Sequence, residues 1–243
     1  LRTAILTGCI AGLLFCSIFL NDLFAITGMT TKCIMLFIVF AIATEPVLRY
    51  LTILTEKIRR GLEDLNFIDV AFEMEFRRLE QYTASGFDEA EFMISTNPGM
   101  PVRPLGMVAS GGELSRIMLA IKAVLADTDD IPTLIFDEID TGISGRTAQK
   151  VSEKLSYIAR NHQVICITHL PQIAAMADTH FEIAKSAAAG STTTTIHPLC
   201  GDEMVKELAR LLGGAKITDA VYDNAREMKV LADQSKLYKT VNN

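Results

Sequence analysis

Three short stretches carry residue types suited to chemistry on an anion. The first is Ala109-Ser110-Gly111-Gly112-Glu113-Leu114-Ser115-Arg116. Two adjacent glycines behind a serine leave backbone N–H groups uncovered. Leu114, Ile117, Ala120, Ile121, Val124 and Leu125 follow at helical spacing. Such a turn at a helix N-terminus can hold an anion, because free N–H groups and the helix dipole point the same way; alone it serves equally as an ordinary cap. The second stretch is Thr133-Leu134-Ile135-Phe136-Asp137-Glu138. An apolar run ending in two carboxylates reads as a buried strand whose C-terminal end opens into a site. Neighbouring acids there suit a hard cation and a water-activating base, or else a solvated acidic turn. The third is Val164-Ile165-Cys166-Ile167-Thr168-His169, another buried-strand pattern, with a terminal histidine before Leu170-Pro171 that, taken alone, is more often structural than functional.

Together the three resemble the C-terminal half of an ABC-type ATPase head. Ser110-Gly111-Gly112-Glu113 matches the signature motif, residues 134–138 the Walker B strand with its catalytic glutamate, and His169 the switch histidine. The wording of Ile94-Ser95-Thr96-Asn97-Pro98-Gly99 and of residues 109–122, 136–150 and 165–178 is closer still to the bacterial RecN family of DNA repair proteins, relatives of the SMC proteins. The resemblance runs from about Ile53 to about Lys229 and leaves the first fifty residues uncovered.

In such heads ATP is sandwiched between two subunits, the P-loop of one cradling the phosphates and the signature turn of the other closing on the γ-phosphate. The resemblance therefore implies ATP and Mg2+ as cofactors. Ser110, Gly111, Gly112 and Glu113 would form the nucleotide-facing turn, with the glycines allowing close backbone approach to phosphate. Asp137 would hold Mg2+, through water. Glu138 would orient and deprotonate the attacking water, and His169 would donate a hydrogen bond to the γ-phosphate. Residues 139–145 match the D-loop, which crosses the dimer interface. Ser144 stands where the wider class has aspartate, and it is also placed to cap the next helix. Gln149 and Lys150 receive no catalytic role, and Arg116 is expected in a structural ion pair.

The elements that must position these groups are legible in outline. The segment 51–65 is amphipathic and reads as a short helix; by resemblance, 51–66 is the end of a coiled-coil arm and 67–243 the C-terminal half of the head. Val70, Phe72, Met74 and Phe76, then Ala90, Phe92 and Ile94, alternate with period two, with turn chemistry at 83–86. This predicts an antiparallel pair with one face buried. Further helices are expected at 147–160, 172–177, 203–212 and 218–231, with strands at 179–185 and around Ile196. Strands alternating with helices indicate an α/β layer fold.

Residues 1–50 differ. They hold only Arg2, Asp22, Lys32, Glu45 and Arg49 as charges, and 3–21 is uncharged, reaching the roughly 18 residues that raise a membrane helix. The apolar stretch 33–44 is too short for a span. Two readings stand for this helical segment: a membrane anchor, or a stretch foreign to the functional protein. The net charge of −6 gives no overall basic signal for nucleic acid. Five cysteines without CxxC spacing suggest neither a disulfide framework nor zinc, consistent with a cytoplasmic setting.

No Gly-x-x-x-x-Gly-Lys-[Ser/Thr] occurs in the 243 residues, so a strong cradle for the α and β phosphates is missing. The expectation is half of an ATPase head that acts in double-strand break repair and recombination. Its partners would be a P-loop-bearing N-terminal half, a second head in a head-to-head homodimer, and DNA through the full protein. Alone it should hydrolyse ATP negligibly. The alternatives are the ATPase subunit of a membrane transporter and a non-catalytic, membrane-tethered half-head.

Overall fold

The computed structural model describes residues 29–84, 86–97, 99–108, 110–188, 191–213 and 216–241. The uncharged stretch 3–21 lies outside them. Among the described residues no helix is long and apolar enough to cross a membrane.

Helix α1 (Met29–Asp64) has 36 residues and runs through Pro46. The helix expected at 51–65 is therefore only its C-terminal part. An interior proline removes one hydrogen bond and costs about 3 kcal/mol, and the turns on both sides carry the helix past Pro46. Strands β1 (Ala71–Thr83), β2 (Gly86–Ser95) and β3 (Arg103–Pro104) form one sheet in that order. The expected burial of one face holds only near the base of the β1–β2 pair. Phe72 is buried and stacks tilted on Phe92 at 5.2 Å, whereas Phe76 and Tyr82 are exposed.

The chain divides into two compact units. One comprises residues up to Arg59 together with Phe72–Phe92. The other comprises Arg60–Ala71 and Met93–Asn243, and it holds every residue with an expected chemical role. It contains α2 (Gly111–Leu125), β4 (Thr133–Phe136), α3 (Gly145–Ile158), β5 (Gln163–Cys166), α4 (Pro171–Met176), β6 (His180–Ala188), β7 (Ser191–Leu199), α5 (Asp202–Gly213) and α6 (Asp219–Val241). A 3-10 turn at Leu105–Met107 precedes α2. Strands β4 and β5 pair in parallel, with Ile135 opposite Ile165 and Phe136 opposite Cys166. Strands β6 and β7 pair antiparallel from His180–Leu199 to Ala188–Ser191.

Periodicity explains the layers. The helix α2 buries Ile117, Leu119, Ala120 and Ile121, and α3 buries Ala148, Val151, Leu155 and Ile158. A second cluster joins α4, α5 and α6 through Ala175, Met176, Val205, Leu208, Ala209, Ala225 and Ala232. A fully buried Ile or Leu of this kind contributes about 1.5–3 kcal/mol.

The two central strands depart from expectation. Their apolar runs read as buried on both faces, yet only one face is covered. Phe136 is buried, while Ile135, Ile165 and, just past β5, Ile167 are 68%, 44% and 48% exposed. These three alternate with the covered positions and so share the other face. That face is partly open, most of all at Ile135.

Candidate functional site

The site is built where the N-terminus of α2 meets the C-terminal ends of β4 and β5. Ser110 is the N-cap of α2, with extended backbone, and its Oγ accepts from the Glu113 N–H at 3.4 Å. This is the arrangement that a serine three residues before a glutamate favours. One turn further on, the Ser115 hydroxyl donates to the Asp137 carbonyl at 2.7 Å, tying the helix to the end of β4.

The glycine pair has a use within the chain itself. A Cβ on Gly112 would lie 2.9 Å from the Glu138 carbonyl oxygen, 3.0 Å from Thr141 Cβ and 3.1 Å from the Thr141 carbonyl oxygen. A Cβ on Gly111 would land on Glu138 Oε2. The signature turn is thus pressed against the acid loop, with one glycine facing backbone and the other facing the Glu138 carboxylate. That carboxylate lies at the positive end of the α2 dipole, where negative charge is favoured.

Beyond β4 the chain turns sharply. Glu138 has φ +56° and Thr141 N–H donates to the Glu138 carbonyl at 3.0 Å. Asn66 and Asp69 also have positive φ, but short polar side chains tolerate that region and glutamate gains nothing from it. Strain of about 1–3 kcal/mol at such a residue persists only when its surroundings over-determine it, and it concentrates at functional sites. The Asp137 carboxylate accepts from the Glu138 N–H at 2.9 Å, and both acids are exposed.

Arg116 holds this turn. Its Nη1 donates to the Thr141 carbonyl at 2.8 Å and to the Ile139 carbonyl at 3.4 Å, and its guanidinium sits 5.6 Å from the Phe67 ring. The expected ion pair is replaced by backbone carbonyls, because Arg116 is 8% exposed and the groups within reach there are the peptide oxygens of the loop. Burial lowers its pKa, with the charge of Glu113 acting the other way.

At the end of β5, His169 exposes most of its side chain while its Nδ1 lies 2.9 Å from Asp140 Oδ2. The same oxygen accepts from the His169 N–H at 2.7 Å and the Thr168 hydroxyl at 2.6 Å. Asp140 is the residue that sequence reasoning passed over. The available signal was an acid two positions beyond Glu138 in Asp137-Glu138-Ile139-Asp140, but only the fold shows that this one turns inward. Ser144 occupies the N-cap of α3, although its hydroxyl makes no capping bond; its carbonyl accepts from Thr147 and Ala148. Gln149 and Lys150 pair with Glu153 on the surface of α3. Cys166, behind the acids, has its thiol pushed up to about 12, chiefly by burial and then by Asp140 and Asp137.

The fold thus brings Ser110, Gly111, Gly112, Asp137, Glu138 and His169 to adjoining element ends, joined by Arg116 and Asp140. Such a set can present helix N–H groups to an anion, one carboxylate to a cation, another to a water, and an imidazole beside them. Among the described residues no three His, Cys, Asp or Glu side chains cluster as a complete metal cage.

No family model matches the chain. Among curated proteins it is 44% identical over 187 residues to the DNA repair protein RecN of Halalkalibacterium halodurans, covering 75% of this chain and 33% of that protein. The chain is RecN-like in sequence. The RecN of Bacillus subtilis is 45% identical over 198 residues, covering 75% of this chain and 34% of the relative. The RecN of Vibrio cholerae is 42% identical over 185 residues. The chain thus spans about a third of the length of the RecN proteins it matches. A solved Smc head domain with a coiled coil and joint, from Pyrococcus yayanosii, aligns at a TM-score of 0.47 with 20% identity, over 74% of this chain and 33% of that one. The transporter-subunit alternative finds no support among these RecN relatives.

Proposed function

We propose that this chain is the C-terminal half of a RecN-like ATPase head, which with a P-loop-bearing half binds and hydrolyses ATP in DNA double-strand break repair and recombination. In this reading residues 51–66 end the coiled-coil arm and 67–243 form the head lobe. The observation that carries it is the packing of Gly111 and Gly112 onto Glu138 and Thr141. It sets the signature turn directly against the acid loop, so the two motifs share one place in the fold as well as one sequence. The role in repair is supported by the name that the relatives carry.

Several features of the geometry support the roles. Glu138, turned out of the strand direction by its positive φ, is exposed and has no ion pair among the described residues, which suits a base for the attacking water. Ser110 Oγ spends a lone pair on Glu113 and keeps its proton for a phosphate oxygen. Ser144, with no capping bond on its hydroxyl, is left for contact with a second head. Asp137 supplies one carboxylate, which suits Mg2+, an ion usually held by one or two carboxylates, waters and substrate phosphates. When bound there the ion would neutralise phosphate charge. His169 would bond to the γ-phosphate through its outer ring nitrogen.

The open sheet face supports the need for a second half. A parallel sheet is ordinarily covered on both sides. The uncovered Ile135, Ile165 and Ile167 suit the seat of the segment that brings the P-loop.

The test is Mg-ATP hydrolysis by this chain alone and mixed with a P-loop-bearing RecN segment. Negligible turnover alone, turnover on mixing, and a loss of about 100-fold or more with Glu138→Gln are expected. Turnover by the chain alone that Glu138→Gln abolishes would overturn the half-head. Absence of turnover from the mixture would overturn the ATPase reading.

A further inference from the structure

We propose that Asp140 is a positioning residue that fixes the ring of His169, so that Nδ1 is committed to the protein and Nε2 alone is presented outward; the catalytic consequence rests on the ATPase reading above.

Asp140 is 4% exposed, and a carboxylate so placed is tolerated only when its oxygens are well supplied with donors. Its Oδ2 receives three, all from the turn after β5: the Thr168 hydroxyl, the His169 N–H and His169 Nδ1. The Thr168 hydroxyl in turn accepts from the Leu170 N–H at 3.0 Å. Asp140 itself cannot drift, because Arg116 grips the carbonyls on either side of it, those of Ile139 and Thr141.

This arrangement exceeds what a structural link requires. Two bonds, from Thr168 and the His169 backbone, would join the two loops. The third goes to a ring whose side chain is 72% exposed and which would otherwise rotate freely. An ionised carboxylate only accepts, so the proton of the shared bond belongs to Nδ1. Nε2 has no hydrogen-bond partner among the described residues. In the neutral ring it then carries the lone pair, and in the charged ring a proton. Donation to a phosphate oxygen calls for the charged ring, with Asp140 as its counter-ion.

The experiment is two-bond 1H–15N correlation of the imidazoles in the full chain labelled with 15N-histidine, His169 being assigned by its loss in His169→Gln. The expected result is a ring protonated at Nδ1 at every pH tested. Asp140→Ala should release it to the mixture of tautomers seen for free histidine, while Thr168→Val should leave it protonated at Nδ1. A wild-type ring protonated at Nε2 alone overturns the proposal, and does so even if Asp140→Ala fails to fold. An unchanged tautomer in a folded Asp140→Ala overturns it as well. In the mixture with the P-loop segment, Asp140→Asn should lower kcat by on the order of 10- to 100-fold with KM for ATP little changed. A loss confined to KM would mean that Asp140 does not act on the chemical step. If the wild-type mixture is inactive, the ATPase reading falls while the tautomer result still decides the pairing.

Discussion

Gly111 and Gly112 are neighbours of the same type, and the structure separates their roles sharply enough to measure. A methyl group on Gly112 meets main-chain atoms, the carbonyl oxygens of Glu138 and Thr141 at 2.9 and 3.1 Å, besides Thr141 Cβ at 3.0 Å. These sit in a turn already fixed by Arg116 and by the Thr141-to-Glu138 hydrogen bond, so the backbone must shift. Overpacking of that kind costs about 1–3 kcal/mol. Alanine returns up to about 1 kcal/mol through helix preference. Taking the middle of that cost, about 2 kcal/mol, less a return of up to about 1, the net loss for Gly112→Ala is about 1–2 kcal/mol, and in a chain of this size each kcal/mol moves the melting temperature by about 2–4 °C. A methyl group on Gly111 meets only the end of the Glu138 side chain, which can rotate away. Gly111→Ala should therefore match the wild-type melting temperature or exceed it slightly, yet displace the Glu138 carboxylate and depress turnover in the completed head. Calorimetric melts of the three proteins, with ATP turnover of the mixture, provide the comparison. Equal melting of Gly112→Ala and wild type, or equal destabilisation by both variants, would refute the packing argument.

Two further outcomes follow from titrating groups. His162 sets Nδ1 2.7 Å from the Ile131 carbonyl and Nε2 3.0 Å from the Ala126 carbonyl, and only the charged ring can donate to both. These two bonds, first Ala126 and then Ile131, raise its pKa. A raised value means a contribution fully present below the ordinary histidine value of about 6.5 and lost as pH rises through the folded value above it. Urea midpoints should therefore fall from pH 6.5 to 8.5 more steeply in wild type than in His162→Asn. His180, lowered chiefly by burial, contributes in the opposite sense at acid pH, so the comparison belongs on the alkaline side. The Cys166 thiol, pushed up to about 12, should resist iodoacetamide at pH 8 while exposed Cys200 reacts; peptide mapping reads both sites in one digest.

Much of the site was readable from local pattern. The capping of α2 by Ser110 needed only the serine, the glutamate three positions later and the apolar spacing beyond. The end of β4 was marked by apolar residues giving way to Asp137-Glu138. What local pattern could not supply was anything that depends on distant partners. Asp140 reads as one more loop acid until β5 delivers Thr168 and His169 to it. Arg116 reads as a surface cation until the fold closes carbonyls around it. The glycines were explained by an approaching phosphate, and the structure adds an approach by the chain's own Glu138 and Thr141. The length of α1 was underestimated because the change from an apolar stretch to an amphipathic one near residue 50 hides a helix that continues through it. Ile135 and Ile165 were read as buried because an apolar run does not say whether both faces are covered.

That open face also governs how the polypeptide behaves on its own. The β4–β5 pair has two strands, so among the described residues each presents one row of main-chain donors and acceptors without a neighbouring strand. Beside those rows stand Ile135, Ile165 and Ile167. Unpaired strand edges next to apolar side chains are a template for intermolecular β-pairing. On the half-head proposal, the segment that ends in Asp137 and Glu138 is where the isolated chain would self-associate, and synthesis together with a covering half would keep it dispersed.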